Sequence, residues 1–284
     1  MAQTIRQWLD RGTALLAQSG LESPRFEAEV LMDSVTDRGR AWLYAHDDRE
    51  LSGEEAARYW ERIERRSRRE PEAAIVGHKE FMGLDLTVTG DVLIPRPDTE
   101  CVVEAALALL EGLEQPRVLD LCTGSGAIGV AMGAIRPDAR MVFSDLSAPA
   151  LAVARKNAGR FQVAGRFVQS DLLAAFGEGE VFDMIVSNPP YIPSLEIEGL
   201  EPDVRDYEPR LALDGGASGY AVYERLIPQA AAHLEDGGFL VMECGWNQGA
   251  QLARRLEAAA FNPLGEIYDL AGKSRGIAAK KGNI

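Results

Sequence analysis

Val118-Leu119-Asp120-Leu121-Cys122-Thr123-Gly124-Ser125-Gly126-Ala127-Ile128-Gly129 decides the fold: an apolar run holding one carboxylate, a glycine turn, and a second apolar run. The first part predicts a buried strand over Arg117–Leu121. Glycines permit a tight turn and let a ligand approach the backbone, and the helix that opens beyond them presents unpaired N–H groups. A strand, glycine turn and helix in that order predict a nucleotide-like site on a parallel sheet. A glycine turn can also serve packing alone, so the rest of the chain has to supply the function.

Downstream, apolar strands alternate with amphipathic helices, the pattern of a parallel sheet covered on both faces. The predicted strands are Met141–Ser144, Gly165–Gln169, Phe182–Ser187 and Gly238–Glu243, and a terminal antiparallel hairpin is expected from Gly265–Asp269 and Gly276–Lys280. The second strand ends in Asp145, about twenty residues after the turn, the interval at which an acid reaches ribose hydroxyls in such folds. Asp171, followed by Leu172, ends the third strand, where it could accept from an adenine amino group. Any one of these acids could cap a helix, but Asp120, Asp145 and Asp171 together at one sheet edge are expected to face one crevice.

Asn188-Pro189-Pro190-Tyr191 follows the strand Phe182–Ser187 and falls where a parallel sheet places its ligands. Two prolines fix φ and remove N–H donors, leaving an acceptor-rich loop. An amide nitrogen is a poor nucleophile because its lone pair is delocalised into the carbonyl. If the Asn188 side-chain oxygen and the Pro189 carbonyl each accept one N–H of a substrate NH2 group, they aim the nitrogen and stabilise the charge it develops. Tyr191 is expected to stack on the planar amide. No strong base stands in the motif, so proton loss is expected with or after the attack by nitrogen. The plainer alternative is a proline-terminated strand with Tyr191 packed behind it.

Ahead of this region, apolar residues recur at helical spacing from Ile5 to about Arg69, including Trp8, Leu9, Leu15, Leu16, Phe26, Val30 and Leu31, and predict a small helical bundle. Ser23-Pro24 marks the start of its second helix, and Ser52 with Glu55 suits a capping box. The last helix ends in five arginines within eight residues, Arg62 to Arg69. They read as a solvated face at a helix C-terminus, or else as a docking patch for an anionic surface. Short apolar runs broken by Gly77, Gly83 and Gly90 predict extended strands over Ala74–Leu93, and a helix is expected over Thr99–Leu113. The expected domains are 1–70, helical and partner-binding; 71–93, a β-hairpin linker; and 94–284, catalytic.

The chain has 284 residues, 46% of them apolar, a formal charge of −14 and three cysteines, Cys101, Cys122 and Cys244. That composition builds a globular core. The acidic balance argues against a broad phosphate-gripping surface, so stable nucleic-acid binding is not expected. The cysteine spacing suits neither a disulfide framework nor zinc, and His46, His78 and His233 stand too far apart in sequence to suggest a metal site. The beginning of the chain lacks the apolar core of a signal peptide and no run has a membrane span's length, so a cytoplasmic place is expected, without membrane association.

The spacing Asp120-x-Cys122-x-Gly124-x-Gly126 resembles the first motif of class I S-adenosylmethionine methyltransferases, with Cys122 at a position usually held by glycine. A Cys can keep the backbone path there at negative φ. The resemblance implies a Rossmann-like α/β sheet and S-adenosylmethionine held by Asp120, Cys122, Thr123, Gly124, Ser125, Gly126, Asp145, Asp171, Leu172 and Asn188. Asn188-Pro189-Pro190-Tyr191 resembles the motif shared by adenine-N6 DNA methyltransferases and glutamine-N5 protein methyltransferases, and does not separate them. Leu93-Ile94-Pro95-Arg96-Pro97-Asp98-Thr99-Glu100, Tyr207-Glu208-Pro209, Ala212-Leu213-Asp214-Gly215-Gly216 and Gly237-Gly238-Phe239-Leu240 resemble segments of the release-factor glutamine methyltransferases. With the acidic charge, the helical domain and the lack of a base-flipping domain, they favour glutamine. The resemblance implies as substrate the Gly-Gly-Gln glutamine of class 1 peptide chain release factors, with Pro95, Arg96 and Thr99 near the cofactor. A non-catalytic binding module remains the third reading.

Overall fold

The computed structural model describes residues 3–282. Residues 1, 2, 283 and 284, at the outer ends of the first and last expected domains, lie outside the described residues. The chain forms two compact units, Met1–Gly77 with Glu201–Tyr207, and His78–Leu200 with Glu208–Ile284.

The first unit contains α1 (Ile5–Gln18), α2 (Pro24–Thr36), α3 (Arg40–Ala45), α4 (Gly53–Ser67) and α5 (Glu72–Val76). Ile5, Leu9 and Leu16 of α1, Leu31 and Met32 of α2, and Tyr59 and Ile63 of α4 form its core. Gly12 lets α1 approach α4, since a Cβ there would stand 2.2 Å from the Tyr59 hydroxyl. Ser52 and Glu55 form the expected capping box, and Thr4 with Gln7 forms another on α1. Ser23 occupies the N-cap of α2 but makes no side-chain capping bond; Pro24 supplies the start by its fixed φ. Phe26, expected in the core, is half exposed beneath the Arg40 guanidinium.

The arginine run is neither a bare solvated face nor an open patch. Arg65 bonds Glu70 at 2.8 Å, and Arg66, almost fully buried, pairs with Glu27 and, at 2.7 Å, with Asp203. Arg69 reaches Asp203 at 2.6 Å and Glu201 at 2.9 Å, and the Tyr207 hydroxyl donates to the Arg68 carbonyl. The acidic segment 201–207 thus belongs to the first unit by charge pairing.

The second unit begins with a hairpin, β1 (His78–Phe81) and β2 (Leu84–Thr87), then α6 (Glu100–Leu109) after a 3-10 turn at Pro97–Thr99. The expected strand start at Ala74–Val76 is instead the end of α5, closed by Gly77 at φ 85°. There follow β3 (Arg117–Leu121), α7 (Ala127–Ile135), β4 (Arg140–Asp145), α8 (Ala148–Arg160), β5 (Gly165–Gln169) and β6 (Phe182–Ser187). After the short α9 (Pro202–Arg205) of the first unit come α10 (Arg210–Leu213), α11 (Ala221–His233), β7 (Leu234–Glu243), α12 (Gly249–Ala258), β8 (Phe261–Tyr268) and β9 (Ser274–Lys281).

Seven strands form one sheet in the order β5-β4-β3-β6-β7-β9-β8. The five from β5 to β7 are parallel, and β9 is antiparallel to both β7 and β8. The pleat sends alternate residues to opposite faces. Leu119, Ile185 and Leu240 meet α11 and α12, while Val118, Met184 and Val241 meet α6 and α7. Both faces are therefore covered, and α7 is buried along almost its whole length. Gly129 and Gly133 bring it close: a Cβ would stand 2.5 Å from Phe143 and 2.4 Å from Val163, respectively. This is a Rossmann-like α/β sheet.

Candidate active site

From β3 the chain builds the sheet one way, through β4 and β5, and then returns to place β6 on the other side of β3. A sheet of this kind opens a crevice outside its strand C-termini where the order reverses. Here the cavity measures about 240 Å3. The β3 turn contributes Cys122, Thr123, Gly124 and Ser125; β4 contributes Asp145, and the end of β5 contributes Asp171 and Leu172. Asn188 and Pro190 enter from β6.

Asp145 ties the turn to its neighbour strand. Its Oδ2 accepts the Gly124 N–H at 2.9 Å and its Oδ1 the Ser147 N–H at 2.8 Å, and burial raises its pKa. Each carboxylate oxygen keeps a further lone pair for a ligand hydroxyl. Asp171 is half exposed and pairs with Arg225 at 2.6 Å. Cys122 and Leu172 hold φ of 59° and 52°, left-handed values that cost a side-chain-bearing residue about 1 kcal/mol each. Cys122 therefore follows a glycine-like path at positive φ, outside the negative range at which a Cys keeps such a path without strain. Burial pushes its thiol up to about 12, so it stands there as a neutral group.

Four expected site residues do not line the crevice. Asp120 is one, because the pleat turns it toward α7. Its Oδ2 accepts the Thr123 hydroxyl at 2.5 Å and the Gly129 N–H at 2.9 Å, bracing the turn from behind, and burial pushes its pKa to about 7. Gly126, at φ 82°, packs against Ala154 of α8, where a Cβ would stand 3.1 Å away. Pro189 is buried under the turn. The Tyr191 ring packs with the core between β7 and α11, and its hydroxyl donates to Glu243 Oε1 at 3.3 Å, so it is not placed to stack on a ligand in the crevice.

The crevice is completed by residues with no local motif. Phe81 arrives from the hairpin, Arg225 from α11 and Leu146 from behind Asp145. Arg96 lines it and bonds buried Glu208 at 2.6 Å, joining the Pro95-Arg96-Pro97 segment to the chain that leads into α10, whose neighbourhood also lines the crevice through Pro209, Leu211, Ala212 and Asp214. Pro95 and Thr99 line it as the resemblance implies. Asn188 is half-buried, and its side-chain amide has no hydrogen-bond partner among the described residues. Also among the described residues, no group of three or more His, Cys, Asp and Glu side chains is gathered for a metal, and no helix is long and apolar enough to cross a membrane.

The PrmC N-terminal domain model matches residues 7–77, and the methyltransferase small domain model matches residues 101–199. A release factor glutamine methyltransferase of Moorella thermoacetica is 43% identical over 96% of this chain and 96% of its own length. One from Geobacter sulfurreducens is 39% identical over 98% and 97%, respectively. The chain belongs to the release factor glutamine methyltransferase family. Among solved structures, a methyltransferase from Pyrococcus furiosus aligns with TM-score 0.51 at 18% identity, covering 71% of this chain and 90% of that one. A T. thermophilus 16S rRNA methyltransferase in complex with AdoMet and guanosine aligns with TM-score 0.51 at 22% identity, covering 72% and 49%. At such identities these neighbours speak for the fold alone.

Proposed function

We propose that this protein transfers a methyl group from S-adenosylmethionine to the side-chain amide nitrogen of the glutamine in the Gly-Gly-Gln motif of class 1 release factors. The observation that carries the reading is the juxtaposition of two sites in one crevice: the glycine turn with Asp145 on one wall, and an unpartnered Asn188 amide at the end of the adjacent strand.

In this reading Asp145 accepts the ribose hydroxyls, and the turn from Cys122 to Ser125 admits the methionine part of the cofactor past its backbone. Asp171 and Leu172 bound the adenine. Asp120 and Gly126 serve the cofactor indirectly, by holding the turn in shape. When bound, the cofactor supplies an electrophilic sulfonium methyl. The protein binds and aims the nitrogen: the Asn188 side-chain oxygen, on the crevice wall, accepts one substrate N–H, and the main-chain carbonyl of Pro189, whose ring is buried beside that wall, is proposed to turn to the other. Two acceptors hold the NH2 group and stabilise positive charge as the nitrogen loses conjugation. The amide loses its proton after or during transfer, and no side chain of the motif has to act as a strong base. Tyr191 anchors the turn from behind.

The helical unit is proposed to contact the release factor, since no part of the crevice uses it. Adenine methylation is disfavoured by the family membership and by the acidic charge, and a non-catalytic role by the intact turn. Incubating the protein with a purified release factor and S-adenosylmethionine, then mapping peptides by mass spectrometry, tests the reading. One added methyl group on the Gly-Gly-Gln peptide, absent with Asn188→Ala, is the expected result; a methyl group elsewhere on the factor, or none, would refute it.

A further inference from the structure

The Asn188–Tyr191 turn cannot anchor itself. Pro189 and Pro190 have no N–H, so the turn is held only at its flanks. On the strand side, the buried Ser187 hydroxyl donates to the Leu121 carbonyl at 2.7 Å, tying β6 to β3. On the far side, everything falls on Tyr191 and the residue after it.

Two segments, 213–219 and 243–248, close around Tyr191. Buried Gln248 donates through Nε2 to the Tyr191 carbonyl at 3.1 Å and to the Gly219 carbonyl at 3.3 Å, while its Oε1 accepts the Gly245 N–H at 2.9 Å. Both of its N–H donors and its carbonyl oxygen are therefore engaged. Gly219 and Gly215 fit against the same backbone: a Cβ would stand 2.6 Å from the Tyr191 carbonyl oxygen at the first and 2.8 Å from the Tyr191 Cα at the second. Ile192 donates to the Leu213 carbonyl and accepts from the Gly215 N–H. At the side chain, Glu243 accepts the Tyr191 hydroxyl, and the Tyr223 hydroxyl fixes the Glu243 carbonyl at 2.6 Å. A buried carboxylate and a buried carboxamide, both on the segment from the end of β7 to the start of α12, thus grip the side chain and the backbone of one residue.

We propose that Glu243 and Gln248 are positioning residues for methyl transfer, which set the direction of the Asn188 acceptor by clamping Tyr191. The inference rests on the reading of Asn188 as the holder of the substrate amide. Neither residue lines the crevice, so their effect belongs on turnover and not on cofactor affinity.

The test is a double-mutant cycle in the full chain, with kcat, KM for the release factor and cofactor Kd measured together and folding followed by thermal denaturation. Loss of one hydrogen bond of ordinary strength corresponds to about tenfold in rate. Tyr191→Phe and Glu243→Leu are each expected to lower kcat about tenfold with cofactor Kd unchanged, and the double variant to fall no further than either one. Glu243→Gln, which keeps an acceptor, is expected to recover most of the loss. Gln248→Leu, which removes both donors, is expected to lower kcat without altering cofactor Kd. Losses that multiply in the double variant, or variants whose kcat matches the wild type, would overturn the proposal. A wild-type protein that leaves the release factor unmethylated would instead overturn the functional reading on which it rests.

Discussion

Replacing Asp145 with Ala separates cofactor binding from chemistry. In the structure both carboxylate oxygens already accept a backbone N–H, from Gly124 and Ser147, and Asp145 lines the crevice with acceptor capacity to spare. A hydrogen bond to a charged acceptor contributes about 1.5 to 3 kcal/mol. If two ribose hydroxyls are held and water partly replaces the lost acceptor, the net loss is about 3 kcal/mol, or about a hundredfold in Kd. The variant also orphans the Gly124 N–H, which loosens the turn and adds to the loss. Titration calorimetry with S-adenosylmethionine should therefore show Kd raised about a hundredfold or more, while kcat at saturating cofactor stays within a few-fold of wild type. A Kd changed by less than tenfold, or a kcat that collapses at unchanged Kd, would refute the assignment of Asp145 to the ribose.

Asn188→Ala should give the opposite split: kcat falling by two orders of magnitude or more with cofactor Kd near wild type, read from the same titration and a single-turnover assay. At Cys122 the left-handed φ predicts that Cys122→Gly is tolerated, whereas Cys122→Val, whose branched side chain resists that φ, lowers stability by about 1 to 3 kcal/mol in urea denaturation; equal stability of Val and Gly variants would contradict it. Asp120 has a pKa raised from 3.8 to about 7 by burial, so the folded state holds its proton more tightly than the unfolded chain. Its contribution is fully present below about pH 4 and is lost as pH rises toward about 7; Asp120→Asn should flatten that part of the stability-against-pH curve, and an unchanged slope would count against it. Arg66→Glu should unfold the helical unit, because it buries like charges against Glu27 and Asp203; circular dichroism showing a native melt would contradict the pairing.

Much of the second unit was legible because its elements are locally determined. The apolar runs of β3 and β6 end at a glycine turn and at two prolines, and both signals mean the same thing in any context. The misreadings fall where a local pattern fits two structures equally, or where the deciding partner lies elsewhere in the fold. Glu72–Val76 is short and apolar, a pattern that fits a strand or a buried helix equally, and Gly77 turned out to cap a helix. The expected hairpin strand at Gly265 begins at Phe261, running through Pro263, which is allowed because β8 is the sheet edge. Position at a strand end puts Asp120 among the crevice acids, but the pleat turns it to α7. Tyr191 looked like a stacking ring because nothing nearby in sequence announces Glu243, 52 residues away. The arginine run similarly found its partners at Glu201 and Asp203, beyond any local rule.

The most direct test of the central claim is methyl transfer from labelled S-adenosylmethionine with three acceptors side by side: a purified class 1 release factor, the same factor with its Gly-Gly-Gln glutamine replaced, and adenine-containing DNA. The account predicts label on the unaltered factor and on neither of the others. Label on the altered factor would place the reaction at another residue, and label on DNA alone would contradict the account outright.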